Sequence, residues 1–180
     1  MTEDNNINYK RLLESIDYYQ TDGYNYINLD WTVDSLVSKI TKPEYKKDFY
    51  LDENVLVASA EQSFLQMMFD DKLPKGKYVG LTPCFRDETI DELHRNYFMK
   101  VELINTEHVT EYDLQMMLNV ALVFHQKYID CKIIQLEDNT YDIVSLNGIE
   151  LGSYGIRKYK DLEWIYGTGC AEPRLSIATK

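Results

Sequence analysis

Two long strand-like segments, Tyr78–Phe85 and Tyr97–Asn105, flank a charged stretch, Asp87–Arg95, and Pro74 and Gly76 mark a turn before the first of them. Their aromatic and branched side chains suit extended backbone, where such groups pack on a pleated surface. Two runs of this kind joined by a charged connection predict an antiparallel hairpin with a long tip. A lone hairpin is marginal in water, so further strands must lie beside it.

Those strands are present in the sequence. Lys132–Leu136, Tyr141–Val144, Ile149–Arg157 and Trp164–Tyr166 are strand-like and separated by Asn or Gly turns. Shorter strands are expected at Tyr24–Ile27 and Val55–Ala58. Tyr9, Leu12, Leu13, Ile16 and Tyr19 recur at helical spacing, and Asp22-Gly23 ends that helix. Ser59-Ala60-Glu61 caps a second helix running through Met68. Thr110-Glu111-Tyr112-Asp113 resembles a capping box and opens the clearest helix, with a stripe of Leu114, Met117, Leu118, Ala121, Leu122, His125 and Ile129. The Met116–Met117 pair and His125 read as core, with the histidine hydrogen-bonded, rather than as a cofactor site. Residues 31–50, lysine-rich and broken at Pro43, read as a connection, and the segment from Ala171 as helix-like. The expected fold class is α+β: an antiparallel β-sheet flanked by helices, in a single domain over residues 1–180.

Charge excludes some functions. Nineteen Lys and Arg stand against thirty Asp and Glu, a formal net charge of -11 in 180 residues. A protein that binds nucleic acid mainly by neutralising phosphates is normally basic. The clusters Lys72, Lys75, Lys77 and Arg157, Lys158, Lys160 read as solvated loop charges. No apolar run approaches the ~20 residues that span a bilayer, and MTEDNNINYK has no signal-peptide core, so no membrane partner and a cytoplasmic location are expected. Cys84, Cys131 and Cys170 form no CxxC pair, and His94, His108 and His125 are scattered, so neither a zinc site nor a disulfide framework is predicted.

Three segments carry more than a core requires. Phe85-Arg86-Asp87-Glu88 ends a strand, and its arginine reads either as part of a surface ion-pair cluster or as a fork aimed at a phosphate. On the return strand, His94-Arg95-Asn96-Tyr97-Phe98 places an aromatic ring on the same hairpin, either as core packing or as a platform for a base. Gly167-Thr168-Gly169-Cys170-Ala171-Glu172-Pro173-Arg174 lets a strand pack closely as it runs into a helix from which Arg174 projects. There is no third glycine for a dinucleotide fold and no GxxxxGK for a P-loop.

Together the three segments resemble the signature motifs of class II aminoacyl-tRNA synthetases. Phe85–Glu88 matches the FRxE of motif 2 and His94–Phe98 its far arm. Gly167–Arg174 looks like motif 3, and the opening helix with Gly23-Tyr24 and Ile27–Val33 is similar to motif 1. Tyr141-Asp142-Ile143-Val144 and Asn147-Gly148-Ile149-Glu150-Leu151-Gly152 resemble the YDLVLNGxELGGGSIR segment of aspartyl-tRNA synthetases. Ser59-Ala60-Glu61 with Gln66 and Met67 looks like their SPQLFKQM helix. The resemblance runs from about Ile7 to Ala178.

The resemblance implies roles. Arg86 would hold the α-phosphate of ATP and act in catalysis by stabilising charge there, with Arg174 as its counterpart on the γ-phosphate side. Phe98 would stack on adenine, Glu88 would contact the base or the amino acid's ammonium, and His94 would sit near the terminal phosphates. Asp142 and Glu150 would hold Mg2+. Ser59, Glu61 and Arg157 would bind the substrate, Arg157 reading a side-chain carboxylate. Departures are Asp30 in place of the motif 1 proline, Tyr97 and Pro173 in place of acids, Leu65 near the place of a substrate-binding lysine, and Gly152-Ser153-Tyr154-Gly155 in place of GGGS. ATP binding survives these changes better than aspartate specificity does. The implied partners are an amino acid, an RNA acceptor end (without anticodon recognition) or another acceptor, and a second copy in a homodimer. Three functions follow: an adenylate-forming ligase, an amide ligase of the asparagine synthetase type with ammonia as acceptor, or a catalytically silent nucleotide- or amino-acid-binding regulator.

Overall fold

The computed structural model describes residues 7–180. Its elements in chain order are α1 (Tyr9–Thr21), β1 (Asn25–Tyr26), β2 (Thr32–Val33), α2 (Ser35–Thr41), β3 (Tyr50–Leu51), β4 (Asn54–Leu56), α3 (Ala60–Phe69), β5 (Lys77–Phe85), β6 (Tyr97–Asn105), α4 (Glu111–Gln126), β7 (Cys131–Glu137), β8 (Thr140–Ser145), β9 (Glu150–Tyr159), β10 (Leu162–Glu172) and α5 (Arg174–Ala178). The predicted hairpin forms, β5 pairing antiparallel with β6 from Lys77 opposite Asn105 to Phe85 opposite Tyr97. It lies inside a seven-stranded sheet of order β1-β5-β6-β10-β9-β8-β7, in which β1 alone runs parallel to its neighbour.

Apolar residues on alternate strand positions divide the molecule into two clusters. Met99, Val101, Leu103, Ile143, Tyr154 and Ile165 face α1 and α4, meeting Leu12, Ile16, Leu114, Leu118 and Phe124. On the other face α2 and α3 cover part of the sheet, with Val37, Phe64 and Leu65 against Ile104, Trp164 and Tyr166. The rest of that second face is open, and it carries the site.

Several local expectations need correction. Residues 31–50 are not a bare connection: they contain α2 and, with β4, a small three-stranded sheet β2-β4-β3. Tertiary packing of Val33 and Val37 outweighs the weak local pattern. The strand expected at Val55–Ala58 begins one residue earlier and ends two residues earlier, as β4. β10 continues to Glu172, so helix starts at Arg174 rather than at Ala171, because Ala171 and Glu172 pair with Lys100 and Met99. Ser59 stands at the N-cap of α3 but makes no side-chain cap; its hydroxyl goes to Glu102 instead. Thr110 does cap α4, its Oγ1 accepting from the Asp113 N–H at 3.2 Å. Met117 is core, whereas Met116 is 48% exposed. His125 is buried and its Nδ1 meets the Ala121 carbonyl at 2.9 Å, but its Nε2 has no partner among the described residues, so the core histidine is only half satisfied. All three cysteines are buried and unpaired. No helix among the described residues is long and apolar enough to cross a membrane.

Candidate active site

Strand alternation builds the site. With Met99, Val101 and Leu103 committed to the core, Phe98, Lys100 and Glu102 must face the open side of β6. Cross-strand pairing puts Thr168 of β10 beside Glu102, Gly155 of β9 beside Tyr166, and Asp142 of β8 beside Ser153. Gly155 is required: a Cβ there would lie 2.9 Å from the Tyr166 ring and from the Asn139 carbonyl. Strands β6, β9 and β10, the first turn of α3, the loop after α2 and the tip of the β5–β6 hairpin enclose a cavity of about 340 Å³. Ser59, Glu61, Arg86, Glu88, His94, Phe98, Glu150, Arg157 and Arg174 all line it, and Asp142 lies outside the lining, near enough to Glu150 to feel its charge.

At one end, Arg86 Nε donates to the Ala58 carbonyl at 2.9 Å, and the guanidinium lies 5.0 Å from the Phe98 ring centroid. Among the described residues no protein group accepts a hydrogen bond from the two terminal nitrogens of Arg86. Arg86 and Phe98 both line the cleft, and Phe98 is partly exposed rather than part of the core. Arg174 Nη1 meets Glu150 Oε1 at 3.2 Å. Asp142 has one buried oxygen without a partner, and burial together with the neighbouring Glu150 raises its pKa. This orphaned atom beside a second carboxylate fits a hard divalent cation. The described residues hold no group of three or more His, Cys, Asp or Glu able to bind a metal. Two carboxylates suffice for Mg2+, whose remaining positions go to water and substrate phosphate.

The hairpin tip is held from outside. Lys46 Nζ, from the loop after α2, lies 2.6 Å from Glu88 Oε2 and donates to the Asp87 carbonyl at 2.9 Å. His94 is exposed and its Nδ1 lies 2.7 Å from Asp91 Oδ2. That contact and the N–H groups of Leu93 and His94 hold the Asp91 carboxyl down at about 2.

The inner end is charged and buried. Glu61, 3% exposed, takes a hydrogen bond from Trp164 Nε1 at 2.7 Å on one oxygen and contacts Arg157 Nη1 with the other. Burial raises the Glu61 pKa, and Arg157 opposes the rise. Arg157 in turn lies over the Tyr166 ring, 3.9 Å from its centroid. Glu102, 1% exposed, accepts from Ser59 Oγ at 2.6 Å and pairs with Lys100 at 2.8 Å.

Sequence reasoning missed Lys46, Lys100, Glu102, Trp164 and Tyr166. A signal existed for some of them: once Phe98 is given to the cleft, period-two alternation carries Lys100 and Glu102 with it. None existed for Lys46, which reaches the site from an irregular loop. Leu65 is fully buried in the second cluster and has no place in the cavity.

No protein-family model matches the sequence, and no curated protein matches it. Solved structures do match in fold. Seryl-tRNA synthetase from Pyrococcus horikoshii, complexed with ATP, superposes with a TM-score of 0.75 at 18% identity over 94% of this chain and 49% of its own. Cytoplasmic serine-tRNA ligase from Naegleria fowleri, in complex with AMP, gives 0.71 at 17% identity over 94% of this chain and 52% of its own. PylSc, a pyrrolysyl tRNA synthetase from Desulfitobacterium hafniense, gives 0.75 at 16% identity over 98% and 70%. The chain thus spans about half the length of the two seryl enzymes. Its fold is that of the class II aminoacyl-tRNA synthetase catalytic domain, an α+β architecture with a large, mainly antiparallel sheet flanked by helices.

Proposed function

We propose that this protein binds ATP and activates an amino acid, or a similar carboxylate, as its adenylate. One observation carries the reading: Arg86, backed by Phe98, and Arg174 line the same cavity as the buried carboxylate of Glu102. Cationic forks at one end suit a triphosphate, and the buried polar groups at the other suit a small charged substrate. A volume of about 340 Å³ lies within the range of small-molecule sites.

In the proposed reaction a substrate carboxylate oxygen attacks the α-phosphorus of ATP. The new O–P bond forms as the bond to the bridging oxygen breaks, and pyrophosphate leaves with that electron pair. The chain contributes position and charge rather than a nucleophile. In this reading Arg86 neutralises the α-phosphate oxygens, Phe98 offers a face to the base, and Arg174 takes the terminal phosphates. Asp142 and Glu150 are the residues suited to hold Mg2+, which would supply Lewis-acid neutralisation of phosphate oxygens. The adenylate would pass to an amine or hydroxyl acceptor; an RNA 3′ end and ammonia are the two considered. A homodimer is proposed as well, because α1 leaves Tyr9 and Leu13 54% and 58% exposed.

A catalytically silent binder is the second reading, favoured by Lys46 already occupying Glu88 and by the burial of Leu65. The deciding experiment is ATP–pyrophosphate exchange with every standard amino acid, with and without RNA, beside calorimetric titration with ATP. Exchange with one amino acid is expected. ATP binding without any exchange would support the silent reading, and no ATP binding would sink both.

A further inference from the structure

We propose that the inner end of the cavity reads a neutral carboxamide side chain and rejects a carboxylate, with Glu61 as the residue that sets this selectivity. The proposal rests on the amino-acid reading above and narrows its substrate class.

An arginine alone in such a pocket attracts carboxylates, which match its planar fork. Arg157 is not alone. Its Nη1 contacts Glu61, whose side chain is 4% exposed against 37% for that of Arg157. The second Glu61 oxygen accepts the Trp164 N–H at 2.7 Å. Each oxygen therefore faces an N–H donor, which is the pattern of an ionised, acceptor-only carboxylate. The positive charge of Arg157 is already cancelled.

Glu102, 1% exposed and paired with Lys100 at 2.8 Å, lines the same cavity and cancels the second cation. An incoming side-chain carboxylate at this end would find both neighbouring cations, Arg157 and Lys100, already paired with carboxylates. Burying such a charge is costly. A cationic side chain would meet Arg157 and Lys100 in the same balanced setting.

A carboxamide fits without altering the charge. Its carbonyl can accept from an N–H of Arg157, and its NH2 can donate to a remaining lone pair of Glu61. The receptor is stiff, because Arg157 is pinned 3.9 Å over the Tyr166 ring and Glu61 is held by the Trp164 indole. A rigid donor beside a rigid acceptor tells an amide from an acid by hydrogen-bond polarity as well as by charge.

The test is an NMR titration of the full chain with asparagine and glutamine, against aspartate and glutamate, in the absence of ATP. The wild type should bind one of the amides at least tenfold more tightly than the matching acid. Glu61→Gln keeps the side-chain shape but replaces one acceptor with a donor and releases the Arg157 charge, so it should improve binding of the acid at least tenfold relative to the amide. Its melting curve checks that the fold survives. The proposal is overturned if the wild type binds the acid as well as the amide, if neither amide nor acid binds, or if folded Glu61→Gln leaves the ratio unchanged. Calorimetry with ATP, run in parallel, reports separately on nucleotide binding: ATP can bind while the selectivity fails, and the selectivity can hold while ATP does not bind.

Discussion

The guanidinium of Arg11 lies 2.7 Å from the carboxylate of Glu172, two groups 161 residues apart in sequence. Glu172 is fully buried and Arg11 is 13% exposed, and the same arginine stacks 4.7 Å from the Tyr128 ring centroid. The pair ties α1 to the end of β10, two residues before Arg174. Packing of the amino-terminal helix is thereby joined to one wall of the site.

Arg11→Ala should leave Glu172 buried without its cation. Loss of one partner from a buried pair costs about 3–5 kcal/mol. Urea denaturation should show a lower midpoint with little change in slope, and an unchanged midpoint would mean that water takes the place of the arginine.

Arg86→Ala and Phe98→Ala should separate phosphate from base recognition. Loss of a charge-assisted contact costs about 1.5–3 kcal/mol, roughly ten- to hundredfold in affinity. Arg86→Ala should weaken both ATP and inorganic triphosphate, whereas Phe98→Ala should weaken ATP alone. If Phe98→Ala binds ATP like wild type, the ring does not stack on the base.

Asp142→Asn should remove the benefit of magnesium. Wild-type protein is expected to bind ATP more tightly with Mg2+ than with EDTA, and the variant should show a much smaller difference. The same magnesium response in both proteins would place the cation elsewhere.

His125 should make the fold acid-sensitive. Burial lowers its pKa from 6.5 to about 4, so the folded state resists a proton that the unfolded chain accepts. Above pH 6.5 both states hold the neutral ring and the histidine contributes no pH dependence. Between pH 6.5 and about 4 the unfolded state gains the proton first, and stability falls by roughly 3 kcal/mol at 1.36 kcal/mol per unit. The pH dependence of unfolding free energy over that window should be shallower in His125→Gln, and parallel curves would clear the histidine of the effect.

Much of the fold was legible because periodicity is a local property. The β5–β6 hairpin, the stripe of α4 and the strands after it are written as alternation and helical spacing between turn residues, and any backbone that buries them must adopt those elements. Arg86, Phe98 and Arg174 could be placed because motif spacing assigned them to strand and helix ends. What the sequence could not contain was partnership across the sheet. Glu61, Trp164 and Arg157 lie on three separate elements, and only the register of β9 on β10 beneath α3 brings them together. Arg157, which as a residue type reads as a receptor for anions, is neutral in effect because Glu61 lies against it. Charge in a low-dielectric cavity is decided by neighbours within a few ångströms, and those neighbours are chosen by tertiary packing.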